Sequence, residues 1–231
     1  MLHTHVPCPQ APLPAHCQTK RAGAPQHKLT YHQGRAYGAD RIGLVGYHDE
    51  AFVIARPVDV FASWLSERVD RLPQLVRGCT NIAAGVRLAN SMLARSPRGV
   101  LRRMWLLTDG YDTHGGWGAI QSTVAESRSL RINICAIGFG ESYDRRLLEQ
   151  IAAGTHNGQF VDVRDLRTLT DVLTAGGRQV RRTERLHRAE TAILVIDLSG
   201  SMSGAMDAST KIGVVQEAVR RLVVYKQRLF S

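Results

Sequence analysis

"AILVIDLSGSMSG", residues 192–204, decides how this chain is read. Five apolar residues run into Asp197, and small hydroxyl residues follow at Ser199 and Ser201. A short apolar run closed by a turn fits a strand buried on both faces. Alternation along extended backbone directs Asp197, Ser199 and Ser201 the same way, and Gly200 lets the turn tighten. The tip of the strand is therefore a candidate holder for a hard cation. Such an element ordinarily opens a domain, yet here it comes late, so its companions have to lie upstream.

Upstream, short apolar strands alternate with amphipathic helices. "RIGLVGY" (41–47) and "AFVIA" (51–55) read as a hairpin around "HDE". "VFASWLSERVDRL" and "TNIAAGVRLANSML" carry apolar residues at helical spacing, as do "YDRRLLEQIA" and "DLRTLTDVLTAGG", the last ending at Gly176 and Gly177. "RRMWLLTDG", "INICAIGFG" and "GQFVDV" read as strands. In "STKIGVVQEAVRRLVVYKQRL", Ile212, Val215, Val219, Leu222 and Val223 form one helical stripe. The alternation predicts a doubly wound α/β fold: a mostly parallel sheet with one antiparallel edge strand and helices on both faces.

In such sheets sites form at the carboxyl ends of the strands. Three loops there offer oxygen: "DLSGS" gives Asp197, Ser199 and Ser201; "GCTN" gives Thr80; "LLTDG" gives Asp109. Carboxylates and hydroxyls suit Mg²⁺ or Mn²⁺ rather than Zn²⁺ or Cu²⁺. Each piece alone has a plainer reading. Hydroxyl-rich turns and Thr80 are ordinary helix caps, and Asp in "TDG" is an ordinary turn residue. Without a cation, Asp197 and Asp109 are expected to repel each other across the site.

The composition narrows the alternatives. With 44% apolar and 22% charged residues the chain has the make-up of a soluble globular protein, and no apolar run is long enough to span a membrane. No signal peptide is evident, so a cytoplasmic location is expected. The net charge of +10 is concentrated: residues 1–39 carry +4 and residues 176–190 carry +3. The first segment reads as a disordered basic tail and the second as an Arg-rich linker, so specific nucleic-acid binding is not expected. Cys8 and Cys17, with five histidines nearby, match no familiar zinc spacing. Cys135 reads as a small buried apolar residue. His48, Asp49 and Glu50 read as a solvated turn. Asp112, His114 and Trp117 follow "TDG" and are candidates for contact with a partner. No nucleophile with a matching base and no phosphate-binding glycine loop is present.

The three ligand loops together resemble the metal-ion-dependent adhesion site of the von Willebrand factor type A domain. "DRIGLVGYHDEAFVI", "GCTNIAAGVRLA", "RRMWLLTDGYDTHGG" and "INICAIGFGESYDRRLLEQIAAGTHNGQFVDV" resemble successive segments of that family, in its order. The resemblance covers residues 40–175 and 191–231. It implies that Ser199, Ser201 and Thr80 coordinate Mg²⁺, with Asp197 and Asp109 acting directly or through water. It further implies one coordination position left for a carboxylate of a partner protein. The departure is the order, because the family's first strand and first helix come last here. The expectation is one circularly permuted domain over residues 40–231, with 176–190 as the new link; a slice of a tandem array is the alternative.

The function expected is thus a noncatalytic, Mg²⁺-dependent protein-binding module. The resemblance suggests an intracellular bacterial complex with an AAA+ ATPase as its setting. The alternative from another class is a one-metal hydrolase, for which His114 is the nameable base.

Overall fold

The computed structural model describes residues 29–175, 188–206 and 208–229. In chain order the elements are β1 (Thr30–His32), β2 (Arg35–Tyr37), β3 (Arg41–Tyr47), β4 (Ala51–Asp59), α1 (Trp64–Asp70), α2 (Ile82–Leu93), β5 (Leu101–Thr108) and α3 (Gly116–Ser129). There follow β6 (Asn133–Phe139), α4 (Arg145–Ala153), β7 (Gln159–Val163), α5 (Leu166–Ala175), β8 (Glu190–Asp197), β9 (Ala205–Met206), β10 (Ser209–Thr210) and α6 (Lys211–Arg228).

Six strands make the main sheet, in the order β4-β3-β8-β5-β6-β7. All neighbours are parallel except the edge strand β4, which pairs antiparallel with β3. The late strand β8 is thus central. It lies between β3 and β5, with Val45 opposite Val195 on one side and Leu106 opposite Val195 on the other. Every residue of β8 is buried, which explains its unbroken apolar run. Ala192, Leu194 and Ile196 face the core beneath α1, α5 and α6, while Ile193 and Val195 face the core beneath α2, α3 and α4.

Close approach of α2 to the sheet depends on Gly85. A Cβ there would lie 2.9 Å from both Tyr47 Cδ1 and Val195 Cγ1. At the far end of the sheet, away from the ligand loops, a buried ion cluster joins three distant parts of the chain. Lys226 Nζ of α6 donates to Asp40 Oδ2 at 2.5 Å and to Glu190 Oε2 at 2.8 Å. Glu190 also pairs with Arg103 of β5, and its backbone N–H donates to Asp40 Oδ1. Burial works against the Lys226 ammonium, but Glu190 and Asp40 hold its pKa above the usual lysine value.

Several boundaries differ from those read in the sequence. Residues 30–37, expected within the disordered tail, form the hairpin β1–β2. Ala36 fixes it by backbone bonds, its N–H to Gly99 O and its C=O to the N–H of Ala189. Residues 1–28 and most of the Arg-rich linker, including Gly176 and Gly177, lie outside the described residues. Glu190, assigned to that linker, is the first residue of β8. The helix expected over "VFASWLSERVDRL" is only α1, because β4 runs on to Asp59 and a 3-10 turn with Pro73 in its first turn follows.

Candidate functional site

Asp197 is the last residue of β8, and Asp109 follows the last residue of the adjacent β5, so parallel pairing alone brings the two carboxylates to one end of the sheet. Both are buried. The turn after β8 folds Ser199 and Ser201 back toward them. Asp197 Oδ1 accepts from the Ser199 backbone N–H at 2.8 Å, and Asp197 Oδ2 accepts from the Thr108 hydroxyl at 2.6 Å. Ser201 Oγ donates to Asp109 Oδ1 at 2.6 Å and lies 3.0 Å from Ser199 Oγ. Thr80 reaches the same place from the loop before α2. A Cβ on Gly110 would stand 3.7 Å from Thr80 Oγ1 and 3.9 Å from Ser201 Oγ, so Gly110 leaves open the space between these hydroxyls. All five oxygen-bearing residues read from the sequence therefore line one cup, buried except at Ser201.

The plainer readings of these residues do not match the local bonding. The cap of α2 is Asn81, whose side chain accepts from the Ala84 N–H, and Thr80 is not the cap. Thr80 is instead clamped through its backbone: its N–H donates to Thr113 Oγ1 and its C=O accepts from the Thr113 N–H. Asp109 is bonded to Ser201 and Lys211 rather than to its own turn. Burial raises the Asp197 pKa to about 6 against the hydrogen bonds from Thr108 and Ser199, and Asp109 pushes it the same way. A buried carboxylate in that state gains from a nearby cation.

Lys211, the first residue of α6, went unnoticed in the sequence. Its Nζ lies 2.6 Å from Asp109 Oδ2. The expected repulsion between Asp197 and Asp109 is thus offset in part by an ammonium beside one of the two carboxylates. The donor set, all hydroxyl and carboxylate oxygen, is of the kind that suits a hard divalent ion, which would have to displace the Lys211 ammonium from Asp109.

Other candidates sort differently. Asp112 is committed to structure: its Oδ1 accepts from the Ile82 N–H, and its Oδ2 from the N–H groups of Gly115 and Gly116. Tyr111 and Trp117, 58% and 41% exposed, are large apolar side chains left open to solvent, the first in the loop after Asp109 and the second in the first turn of α3. Cys135 is buried, and burial pushes its thiol up to about 11, as a core residue requires. His48, expected in a solvated turn, is buried against Phe52 and accepts the Asp49 N–H at Nδ1. His114, the base named for a hydrolase, groups with Asp49 and Cys79.

No helix among the described residues is long and apolar enough to cross a membrane. No curated protein matches the chain. The family model of the von Willebrand factor type A domain matches residues 34–175, well over half of the chain, and the match stops before the strand that carries Asp197. With its mostly parallel sheet, helices on both faces and that match, the chain belongs to the von Willebrand factor type A domain family.

Proposed function

We propose that the protein is a noncatalytic, Mg²⁺-dependent protein-binding module. The observation that carries this reading is the convergence of Asp197, Ser199, Ser201, Thr80 and Asp109, from three separate loops, on one all-oxygen cup. These residues would hold one Mg²⁺, or Mn²⁺ in its place, and the ion would supply a strong positive charge at the mouth of the cup. An Asp or Glu of a partner protein would complete the coordination, with Tyr111 and Trp117 giving apolar contact around it. Type A domains generally serve protein interaction, which agrees with this use. An AAA+ ATPase in the cytoplasm is the partner and setting that the family resemblance suggests.

The chain order is part of the same reading. We infer a circular permutation, in which β8 and α6 are the family's first strand and first helix. Two observations support it. The family match is collinear only as far as residue 175, and the end of α6 lies against the start of β3 through Lys226 and Asp40. A chain running directly from α6 into β3 needs just that proximity.

Calorimetric titration tests the site. Wild type should bind one Mg²⁺ per chain, and Asp109→Ala should lose that binding. Capture of a partner should likewise require Mg²⁺, and fail in EDTA or in the variant carrying Ser199→Ala and Ser201→Ala. Undiminished binding of Mg²⁺ by Asp109→Ala would place the ion elsewhere.

A further inference from the structure

Beside the oxygen cup, the same loops bring together donors of a different chemistry. Asp49 stands in the turn between β3 and β4, Cys79 in the loop before α2, and His114 in the loop before α3. One ligand atom from each, a carboxylate oxygen, a thiol sulfur and an imidazole nitrogen, lies within 4.8 Å of the others. Donors around a tetrahedral Zn²⁺ stand about 3.3–3.8 Å apart, given metal–ligand distances of about 2.0–2.3 Å. The observed spacing leaves about 1 Å to close, which side-chain rotation supplies for the exposed Cys79 and His114.

The backbone around the three residues is fixed independently of any ion. The Cys79 N–H donates to Asp49 Oδ1 at 3.1 Å, and Asn81 Nδ2 donates to Asp49 O at 3.0 Å. The hydrogen bond from the Cys79 N–H holds the Asp49 carboxyl below its usual pKa, against the opposing effect of burial. Gly78 has φ +72°, and a Cβ there would lie 2.4 Å from Asp49 Oδ2. Glycine thus gives both the turn and the room for the carboxylate. Thr113 and Thr80 bond through their backbones, which holds the loop of His114 against the loop of Cys79.

We propose that Asp49, Cys79 and His114 form a second metal site, distinct from the oxygen cup, for a borderline-soft divalent ion of the Zn²⁺ class. Thiolate and imidazole select Zn²⁺ or Co²⁺ and have little affinity for Mg²⁺, so the two sites are separated by ligand chemistry although their loops are shared. Binding takes the Cys79 S–H proton into solvent as the sulfur–metal bond forms. Three protein ligands leave the fourth tetrahedral position to water or to a group from a partner.

The test uses the full chain with Co²⁺ as the probe, because a cobalt–thiolate bond has its own near-ultraviolet charge-transfer absorption. Wild type should develop that band at one equivalent, lose it on addition of Zn²⁺, and keep it in excess Mg²⁺. Cys79→Ser should abolish it, and His114→Ala should weaken Co²⁺ binding at least tenfold. Both side chains are exposed, and circular dichroism checks that each variant folds. Cys8 and Cys17 are the competing thiols, so the band should persist in the variant with both changed to Ser. It should also persist in Asp109→Ala, whose Mg²⁺ titration reports on the oxygen cup alone. A wild-type chain without the band, a band that survives Cys79→Ser, or one lost with Cys8 and Cys17 overturns the assignment.

Discussion

Lys211 Nζ sits 2.6 Å from Asp109 Oδ2, so a cation entering the cup meets an ammonium already in place. The two positive charges compete for one carboxylate. At about 5 Å and an effective dielectric near 20, repulsion between the doubly charged ion and the ammonium is on the order of 7 kcal/mol, lessened as the flexible lysine swings outward. Lys211→Met should therefore tighten Mg²⁺ binding by about tenfold, or about 1.4 kcal/mol, in a calorimetric titration. An unchanged affinity would mean that the lysine leaves at no cost. That the five oxygen-bearing residues gather at one end of the sheet was legible from strand-end position taken together with the family resemblance. Lys211 was not, because its pairing depends on where the start of α6 lies relative to the end of β5, which the sequence does not show. Cys79 and His114 were missed as a pair for a related reason. Cys79 was not read as functional and His114 was read only as a base or contact residue, and only the folded loops bring the two together with Asp49.

The apolar stripe of α6 places Ile212, Val215, Val219 and Leu222 in the core, and the next position of that stripe is Lys226. A lysine at a core position asks for buried carboxylates, and periodicity alone could have raised the question. It could not supply the answer, since Asp40 and Glu190 come from the beginnings of two different strands. Removing one member of a buried ion cluster typically costs about 3–5 kcal/mol, because it leaves a charge without its partner. Lys226→Met should destabilise the protein by about that much in chemical denaturation. Adding Asp40→Leu should restore most of the loss, because Glu190 still has Arg103. A double variant no more stable than the single one would show that Asp40 has another role. The helices that shortened teach a similar lesson: α1 begins only after the Asp59 carboxylate has accepted the Phe61 N–H, a turn that apolar spacing does not announce.

For the whole molecule, the class of fold and the alternation of elements were readable because β8 is apolar on both faces and every helix on one. That β8 joins the sheet built by residues 40–175 was read from chemistry, since Asp197 and Asp109 had to meet; its neighbours β3 and β5 were not, because hydropathy says nothing about strand order. The hairpin β1–β2 was missed because it is held by backbone pairing, of Ala36 with Gly99 and Ala189 and of Tyr37 with Arg188, rather than by an apolar pattern. If the order of elements is a permutation, connectivity and stability are separable. A rearranged chain that starts at residue 190, runs through α6 directly into residue 38 and ends at residue 175 should fold. Its thermal midpoint should lie within a few degrees of the natural order's, and it should bind Mg²⁺ with similar affinity. A rearranged chain that stays unfolded would show that the omitted residues, the β1–β2 hairpin or residues 176–189, do more than connect.

The central strand arrives last during synthesis. At about 5–20 residues per second, the ribosome needs about 4–18 s to pass from Thr108 to Asp197. Through that interval β3 and β5 have no partner between them, and both present open, apolar edges. Early segments cannot settle into the native sheet as they emerge, so completion waits for Glu190–Asp197 to be translated. Nascent chains stalled before residue 190 should accordingly be chaperone clients, whereas the rearranged order, with its keystone strand first, could build the sheet outward as it leaves the exit tunnel.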